Sequence, residues 1–136
     1  MEQSSVRIID RISYGVLIIL ALLIGGFSLF VGYNKAFAPL AILAEHSAWT
    51  IHLPVMLGRA LGWLELVTAT ILILSLPFRR YAGAGTLAGG WITLNHMIAA
   101  VFHYLHAEWS TQPQSAVMIT LGLAMVALYA RRSRGT

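Results

Sequence analysis

The sequence contains no cysteine and very little charge. Of its 136 residues, 58% are hydrophobic and only 10% are charged. Without cysteine the chain has no disulfide, no thiolate metal ligand, no dithiol redox chemistry of its own and no site for palmitoylation. So few charges cannot give a globular domain an ordinary polar surface. The composition therefore predicts an integral membrane protein whose first partner is the lipid bilayer.

Acidic residues are scarcer than basic ones, with five aspartates and glutamates against nine lysines and arginines. A basic excess suggests nucleic-acid binding in a soluble protein, but this sequence has no basic stripe with interleaved aromatic residues. The basic residues lie instead at the ends of apolar segments, where membrane topology accounts for them. The sequence therefore predicts no nucleic-acid partner.

Long apolar stretches are what the chain does have. Crossing about 30 Å of hydrocarbon takes roughly 20 residues, and four stretches reach or nearly reach that length: 12–32, 54–76, 82–105 and 113–130. The short connections between the last three make them sequential antiparallel neighbours. We therefore expect one all-α domain over residues 1–136, an integral membrane antiparallel four-helix bundle. No internal repeat is apparent, and residues 34–53 are typical of a segment lying on the membrane surface.

The basic residues also predict an orientation. Only Lys35 and Arg59 lie near one face of the predicted bundle, and the other seven lie on the opposite face: Arg7, Arg11, Arg79, Arg80, Arg131, Arg132 and Arg134. The positive-inside rule then makes both termini cytoplasmic, as in a bacterial inner-membrane protein. The first span is longer than a signal-peptide core, and Pro39 follows the small residues where cleavage would occur, so we expect a retained helix.

Ionisable residues within the spans are the candidate catalytic groups. On the third span the histidines share a face with small residues, which is the face that packs closely against other helices. Glu65 lies on the glycine-bearing face of the second span, at a depth similar to that of His96. An unpaired carboxylate is costly in hydrocarbon, so the sequence predicts that His96 is the partner of Glu65. A structural hydrogen bond and a functional site toward the outer half explain this pair equally well.

A quinone is one ligand that such a site could bind. It needs an amphipathic pocket, a hydrogen bond to each carbonyl and a group that exchanges protons, and Glu65, Asn95 and His96 could supply these. We expect the remaining ligand contacts to come from His103 inside the site, with Lys35 and His106 at its mouth.

A metal ion and a haem are alternatives to a quinone as the bound group. Nitrogen and oxygen ligands suited to zinc or copper could come from the outer end of the third span and from the outer loop, namely His103, His106, Glu108, His46 and His52. A haem with two axial histidines fits less well, because His96 and His103 lie on one helix and the other spans contain no histidine.

Several short motifs resemble the DoxX-like family of small four-helix membrane proteins. They are GYNK (32–35) at the end of the first helix, LGRALGWLELVTATILIL (57–74) with its Gly-x-x-x-Gly-x-x-Glu pattern, a third helix that carries histidine, and LYARR (128–132) at the end of the fourth. The resemblance covers nearly the whole chain. Gly32, Lys35, Gly62 and Glu65 match the family pattern residue by residue.

The resemblance implies several different functions. Some family members are described as the membrane subunit of a thiosulfate:quinone oxidoreductase, others belong to oxidative-stress assemblies, and a distant animal branch resembles a receptor-assembly chaperone. The leading hypothesis is a redox-associated membrane subunit, with oxidoreductase activity if the chain is an enzyme, that binds quinone or a comparable small ligand. The alternative is a non-catalytic interaction or assembly subunit, bound to a partner membrane subunit or to a second copy, whose buried polar residues only fix helix packing.

Overall fold

The computed structural model describes residues 2–135, and every regular element in that part of the chain is helical. The five α-helices are α1 (Glu2–Phe37), α2 (Leu40–Glu45), α3 (Val55–Leu74), α4 (Ala82–Leu105) and α5 (Gln112–Arg134). Short 3₁₀ helices occur at Trp49–His52, Arg79–Tyr81 and Trp109–Thr111. The expectation of an all-α chain is confirmed for the described residues.

Three helical segments are long and apolar enough to cross a membrane: Ser4–Phe37, Val55–Leu74 and Trp109–Arg134. The helix α4 begins and ends where the sequence predicted, at residues 82 and 105, and its 24 residues are long enough. It is not among the three, because glycine, threonine, asparagine and histidine lower its hydropathy. That α4 also crosses the membrane stays a prediction.

The four long helices pack side by side in antiparallel pairs. The main contacts of α1 are with α3 and α5, and those of α4 are also with α3 and α5. Near the start of α1, Tyr14 Oη donates to the carbonyl of Leu76, just beyond α3, at 3.0 Å. At the other end of the molecule, Gln112 Nε2 in α5 donates to the carbonyl of Ala100 in α4 at 3.0 Å. Both chain ends therefore lie at one end of the helices, and the opposite end is called the distal end.

A glycine contact brings α1 and α3 close together at the distal end. A Cβ atom placed on Gly62 would lie 2.6 Å from the backbone nitrogen of Ala36 and 2.9 Å from the carbonyl oxygen of Gly32. No side chain could be accommodated there without moving the backbone. Small residues at such positions are what allow helices to approach closely in membranes.

The two distal connections repeat one backbone motif, a feature that the sequence analysis missed. A histidine is the C-cap of each helix, the next residue has a positive φ, and a 3₁₀ helix begins at the following tryptophan. The motifs are HSAWT (46–50) and HAEWS (106–110), with φ values of 51° at Ser47 and 56° at Ala107. The amides of Ala48 and Glu108 close the turns by donating to carbonyls five residues earlier, at 2.8 and 2.9 Å. This is the Schellman arrangement.

We predict that Gly62→Ala destabilises the fold by roughly 1–3 kcal/mol, the usual cost of overpacking. The added methyl group meets backbone atoms, which cannot rotate away as a side chain would. Gly90→Ala is the matched control because a Cβ on Gly90 has nothing within 4 Å. Unfolding in detergent micelles, followed by helical circular dichroism, measures both variants, and equal midpoints for the two would contradict the close approach of α1 and α3.

Candidate functional site

A cavity of about 310 Å³ lies at the distal end, between α1, α4, the start of α5 and the connection that contains α2. Its apolar wall comes from Phe27, Phe30, Val31, Ile42, Leu43, Ala48 and Ala99. Its polar wall comes from Asn34, Lys35, His46, Ser47, Trp49, Asn95, His96, His103, Thr111, Gln114 and Ser115. The distal cavity thus collects four of the six candidate catalytic and ligand-binding residues: Lys35, Asn95, His96 and His103.

Glu65 forms a buried ion pair with Lys35. The Lys35 Nζ donates to Glu65 Oε2 at 2.6 Å, and the two side chains are only 5% and 1% exposed. The close approach of α1 and α3 at Gly62 brings the two residues together. Arg59 Nη1 donates to the backbone carbonyl of Lys35 at 2.8 Å, and Lys35 Nζ lies 5.6 Å from the centre of the Trp49 ring. A charge pair this deeply buried is stable only while both partners are present.

The sequence analysis named His96 as the partner of Glu65, and the structure corrects this. The carboxylate already accepts a hydrogen bond from Lys35, whose long flexible side chain reaches back from the last turn of α1. The ring of His96 stacks instead on Phe27, with 6.1 Å between the ring centres. A signal for the correct partner was present in the sequence, because Lys35 follows Gly32 on the same stripe of α1 that packs against Gly62.

Two buried polar atoms on the cavity wall have no hydrogen-bond partner among the described residues. They are the indole nitrogen of Trp49 and Nε2 of His96. Asn95, also on this wall, is 4% exposed. Buried polar atoms in native proteins nearly always have a partner, so an orphaned one needs an explanation. The indole nitrogen only donates, whereas an imidazole nitrogen donates or accepts according to its tautomer. Both residues line the cavity, so a small rotation of each side chain would present a fixed donor and a second polar atom to a bound molecule.

A histidine–glutamate cluster borders the cavity on its distal side. Glu108 accepts from both neighbours: its Oε2 lies 2.5 Å from Nδ1 of His103, and its Oε1 lies 3.3 Å from Nε2 of His52. The rings of His52 and His106 stack with 3.5 Å between their centres. We call these four residues, His52, His103, His106 and Glu108, the distal cluster. His106 therefore belongs to this cluster rather than to the cavity wall.

The five residues named as metal ligands do not form one coordination sphere. Four of them make up the distal cluster, whereas His46 lies on the cavity wall. Within residues 2–135, no group of three or more histidine, aspartate or glutamate side chains is placed to hold a metal ion. Hydrogen bonds and stacking already occupy the cluster: Nδ1 of His106, for example, lies 2.8 Å from the backbone carbonyl of Phe102.

The hydrogen bond from His103 lowers the pKa of Glu108 below its usual range. Partial burial opposes this change, and the hydrogen bond from His52 adds to it. Glu108 lies between α4 and the 3₁₀ helix that precedes α5, so it is close to the distal surface. Its carboxylate is therefore ionised at neutral pH and acts as an acceptor for both imidazoles.

Comparisons with protein families, characterised proteins and solved structures find no match to this chain.

Replacing Lys35 by methionine should destabilise the fold by about 3–5 kcal/mol, because Glu65 is left as a buried charge without a partner. The double variant Lys35→Met/Glu65→Met removes both charges and should recover most of that loss. Unfolding free energies of the wild type, the two single variants and the double variant give the coupling energy. Losses that simply add would show that the two charges do not stabilise each other.

The low pKa of Glu108 also predicts how stability depends on pH. A carboxylate whose pKa is lower in the folded state contributes stability above the usual glutamate range and loses it as pH falls through the folded-state pKa. We expect acid to destabilise the wild type more steeply than Glu108→Gln. Thermal midpoints in micelles across the acidic range measure this, with Glu45→Gln, an exposed glutamate on α2, as the control. Identical pH profiles for wild type and Glu108→Gln would contradict the role of the cluster.

Proposed function

We propose that this chain is an integral membrane protein that binds a small amphipathic ligand, best matched by a quinone headgroup, in the distal cavity. In this proposal all four long helices cross a bacterial inner membrane as one bundle, with both termini cytoplasmic. The three long apolar segments support the membrane location. The arginines near both chain ends, together with Arg79 and Arg80, support the cytoplasmic location of the termini.

The observation that carries the ligand proposal is the pair of orphaned polar atoms that Trp49 and His96 contribute to the cavity wall. A quinone has a flat apolar ring and two carbonyl oxygens that accept hydrogen bonds. Trp49 Nε1 can donate to one carbonyl, and His96 or Asn95 can donate to the other. The volume of about 310 Å³ is near the lower end of the range of ligand pockets. It suits one substituted ring, whose tail would continue into lipid.

The resemblance to the DoxX-like family supports a redox-associated subunit. Of the four residues that match the family pattern, Gly32 and Gly62 pack α1 against α3 and Lys35 and Glu65 form the buried pair. In this proposal Glu65 does not exchange protons with the ligand. It holds the Lys35 ammonium group at the cavity wall, where a positive charge favours a carbonyl oxygen or an anionic oxygen on the ligand.

A non-catalytic assembly subunit is the second candidate, and the buried pair favours it. Lys35 and Glu65 neutralise each other inside the α1–α3 contact, so they fix the register of the two helices without any ligand. In that function the protein would act through a partner membrane subunit or a second copy. Ligand binding separates the two candidates.

We predict that Trp49→Phe and His96→Leu each weaken quinone binding by about three- to tenfold. That range corresponds to the loss of one hydrogen bond of roughly 0.5–1.5 kcal/mol. Binding of radiolabelled decylubiquinone to the protein in lipid nanodiscs, corrected for empty nanodiscs, measures the dissociation constants. Trp109→Phe is the matched control, because Trp109 has the same place in the repeated motif but is 58% exposed.

Two results would favour the assembly subunit instead. One is quinone uptake no greater than that of empty nanodiscs. The other is binding that Trp49→Phe and His96→Leu leave at the wild-type level, since both substitutions remove a polar atom from the cavity wall. A change caused by Trp109→Phe alone would place the binding site elsewhere on the distal surface.

A further inference from the structure

The distal cluster joins the cavity wall to the distal surface by hydrogen bonds. His103 lines the cavity and is 7% exposed. Its Nδ1 lies 2.5 Å from Glu108, and Glu108 also bonds His52. The side chains of Glu108 and His52 are 23% and 20% exposed, so water can reach this end of the cluster. Buried imidazole, carboxylate and accessible imidazole thus follow one another over a short distance.

The carboxylate fixes the tautomer of the buried imidazole. An ionised carboxylate only accepts hydrogen bonds, so Nδ1 of His103 carries a proton and donates it to Glu108. In the neutral ring, Nε2 then holds the lone pair and is free to accept. The low pKa of Glu108 agrees with this assignment, because its ionised form is the one that the cluster stabilises.

We propose that His103 exchanges a proton with a ligand in the distal cavity and that Glu108 positions His103 and passes the proton to distal water. This inference rests on the proposed function and narrows the ligand to a molecule with an exchangeable O–H, such as a quinol or another phenol. The ligand O–H bond breaks as the Nε2–H bond forms on His103. The Nδ1 proton moves to Glu108 Oε2 and then leaves to distal water. The reverse sequence delivers a proton.

The other charged and titratable groups around His103 do not form such a path. Lys35, from α1, is committed to Glu65 of α3. His96 lies about two turns before His103 on the same face of α4, and its Nε2 is buried without a hydrogen-bond partner. His46, at the end of α2, and His106, stacked on His52, have no carboxylate within ion-pair distance in the described chain. Among the described residues, His103 alone combines a place on the cavity wall with a carboxylate that leads to the surface.

The test uses 4-nitrophenol, whose phenolate absorbs visible light and whose phenol does not. The probe is bound to the protein in lipid nanodiscs, corrected for empty nanodiscs, and the pH at which the bound probe ionises is read from its absorbance. In the wild type this pH should lie below that of the free probe. Glu108→Gln should raise it by about one unit or more, the usual effect of a neighbouring opposite charge on an imidazole.

Glu108→Gln keeps an oxygen that accepts from Nδ1 of His103 but cannot take up the proton, so a purely structural role would leave the ionisation pH unchanged. Glu45→Gln removes the same charge from the exposed surface of α2 and should have no effect, while Glu108→Asp should restore part of the wild-type value. If the probe binds and Glu108→Gln does not move its ionisation, the relay is wrong and the proposed function stands. If no probe binds to the wild type, the relay is wrong, and the binding of decylubiquinone decides the proposed function separately.

A second measurement does not depend on a ligand or on a variant that folds. Nitrogen-15 NMR of labelled histidine in the wild-type protein distinguishes a protonated ring nitrogen from a bare one. At neutral pH, the His103 signal should show a proton on Nδ1 and none on Nε2. The opposite tautomer would overturn the proposal, because Nε2 could then not accept a proton from the cavity.

Discussion

The ion pair between Lys35 and Glu65 is the contact on which the arrangement of the other helices depends. Removing two opposite charges from water is costly, and that cost is offset only when the two groups meet with good geometry. The close approach of α1 and α3 at Gly62 provides this geometry, with 2.6 Å between Lys35 Nζ and Glu65 Oε2. A shift of one helical turn along either helix would separate the charges. The pair therefore sets the register of α1 against α3 and places Lys35 at the cavity wall.

The position of the distal cavity follows from an asymmetry between two similar halves. The helix pairs α1–α3 and α4–α5 each have a distal connection with the same turn, and each turn leads into a tryptophan. Trp49 is 5% exposed and lines the cavity, whereas Trp109 is 58% exposed and packs its ring edge-on against Tyr104. The difference comes from the additional helix α2, which precedes Trp49 and covers the distal end. Its counterpart before Trp109 is the end of α4 itself, which supplies His103 and His106 of the distal cluster instead.

Sequence reasoning located the polar positions but not all of their partners. Helical periodicity placed Glu65 and His103 on inward faces and Asn95 at the margin of one, and all three are buried. It did not identify Lys35 as the partner of Glu65, although both residues lie on glycine-bearing faces. Periodicity gives only the direction in which a side chain leaves its helix, and a lysine side chain is long enough to reach a group more than one turn away. The repeated turn was not predicted because serine and alanine occupy its positive-φ positions. A glycine there would have indicated the turn.

The buried polar groups fall into two kinds, and the difference bears on function. In the α1–α3 contact Lys35 and Glu65 neutralise each other through Glu65 Oε2, so the charge balance of this pair needs no further molecule, although Glu65 Oε1 has no hydrogen-bond partner. Those on the cavity wall, Trp49 and His96, leave a nitrogen without a partner, at a cost of about 1–3 kcal/mol for each such group. Packing alone does not explain that cost, because an apolar side chain would fill the same space without it. A bound molecule with oxygen atoms at matching positions would explain it, which is why the cavity rather than the ion pair is the better candidate for the functional centre.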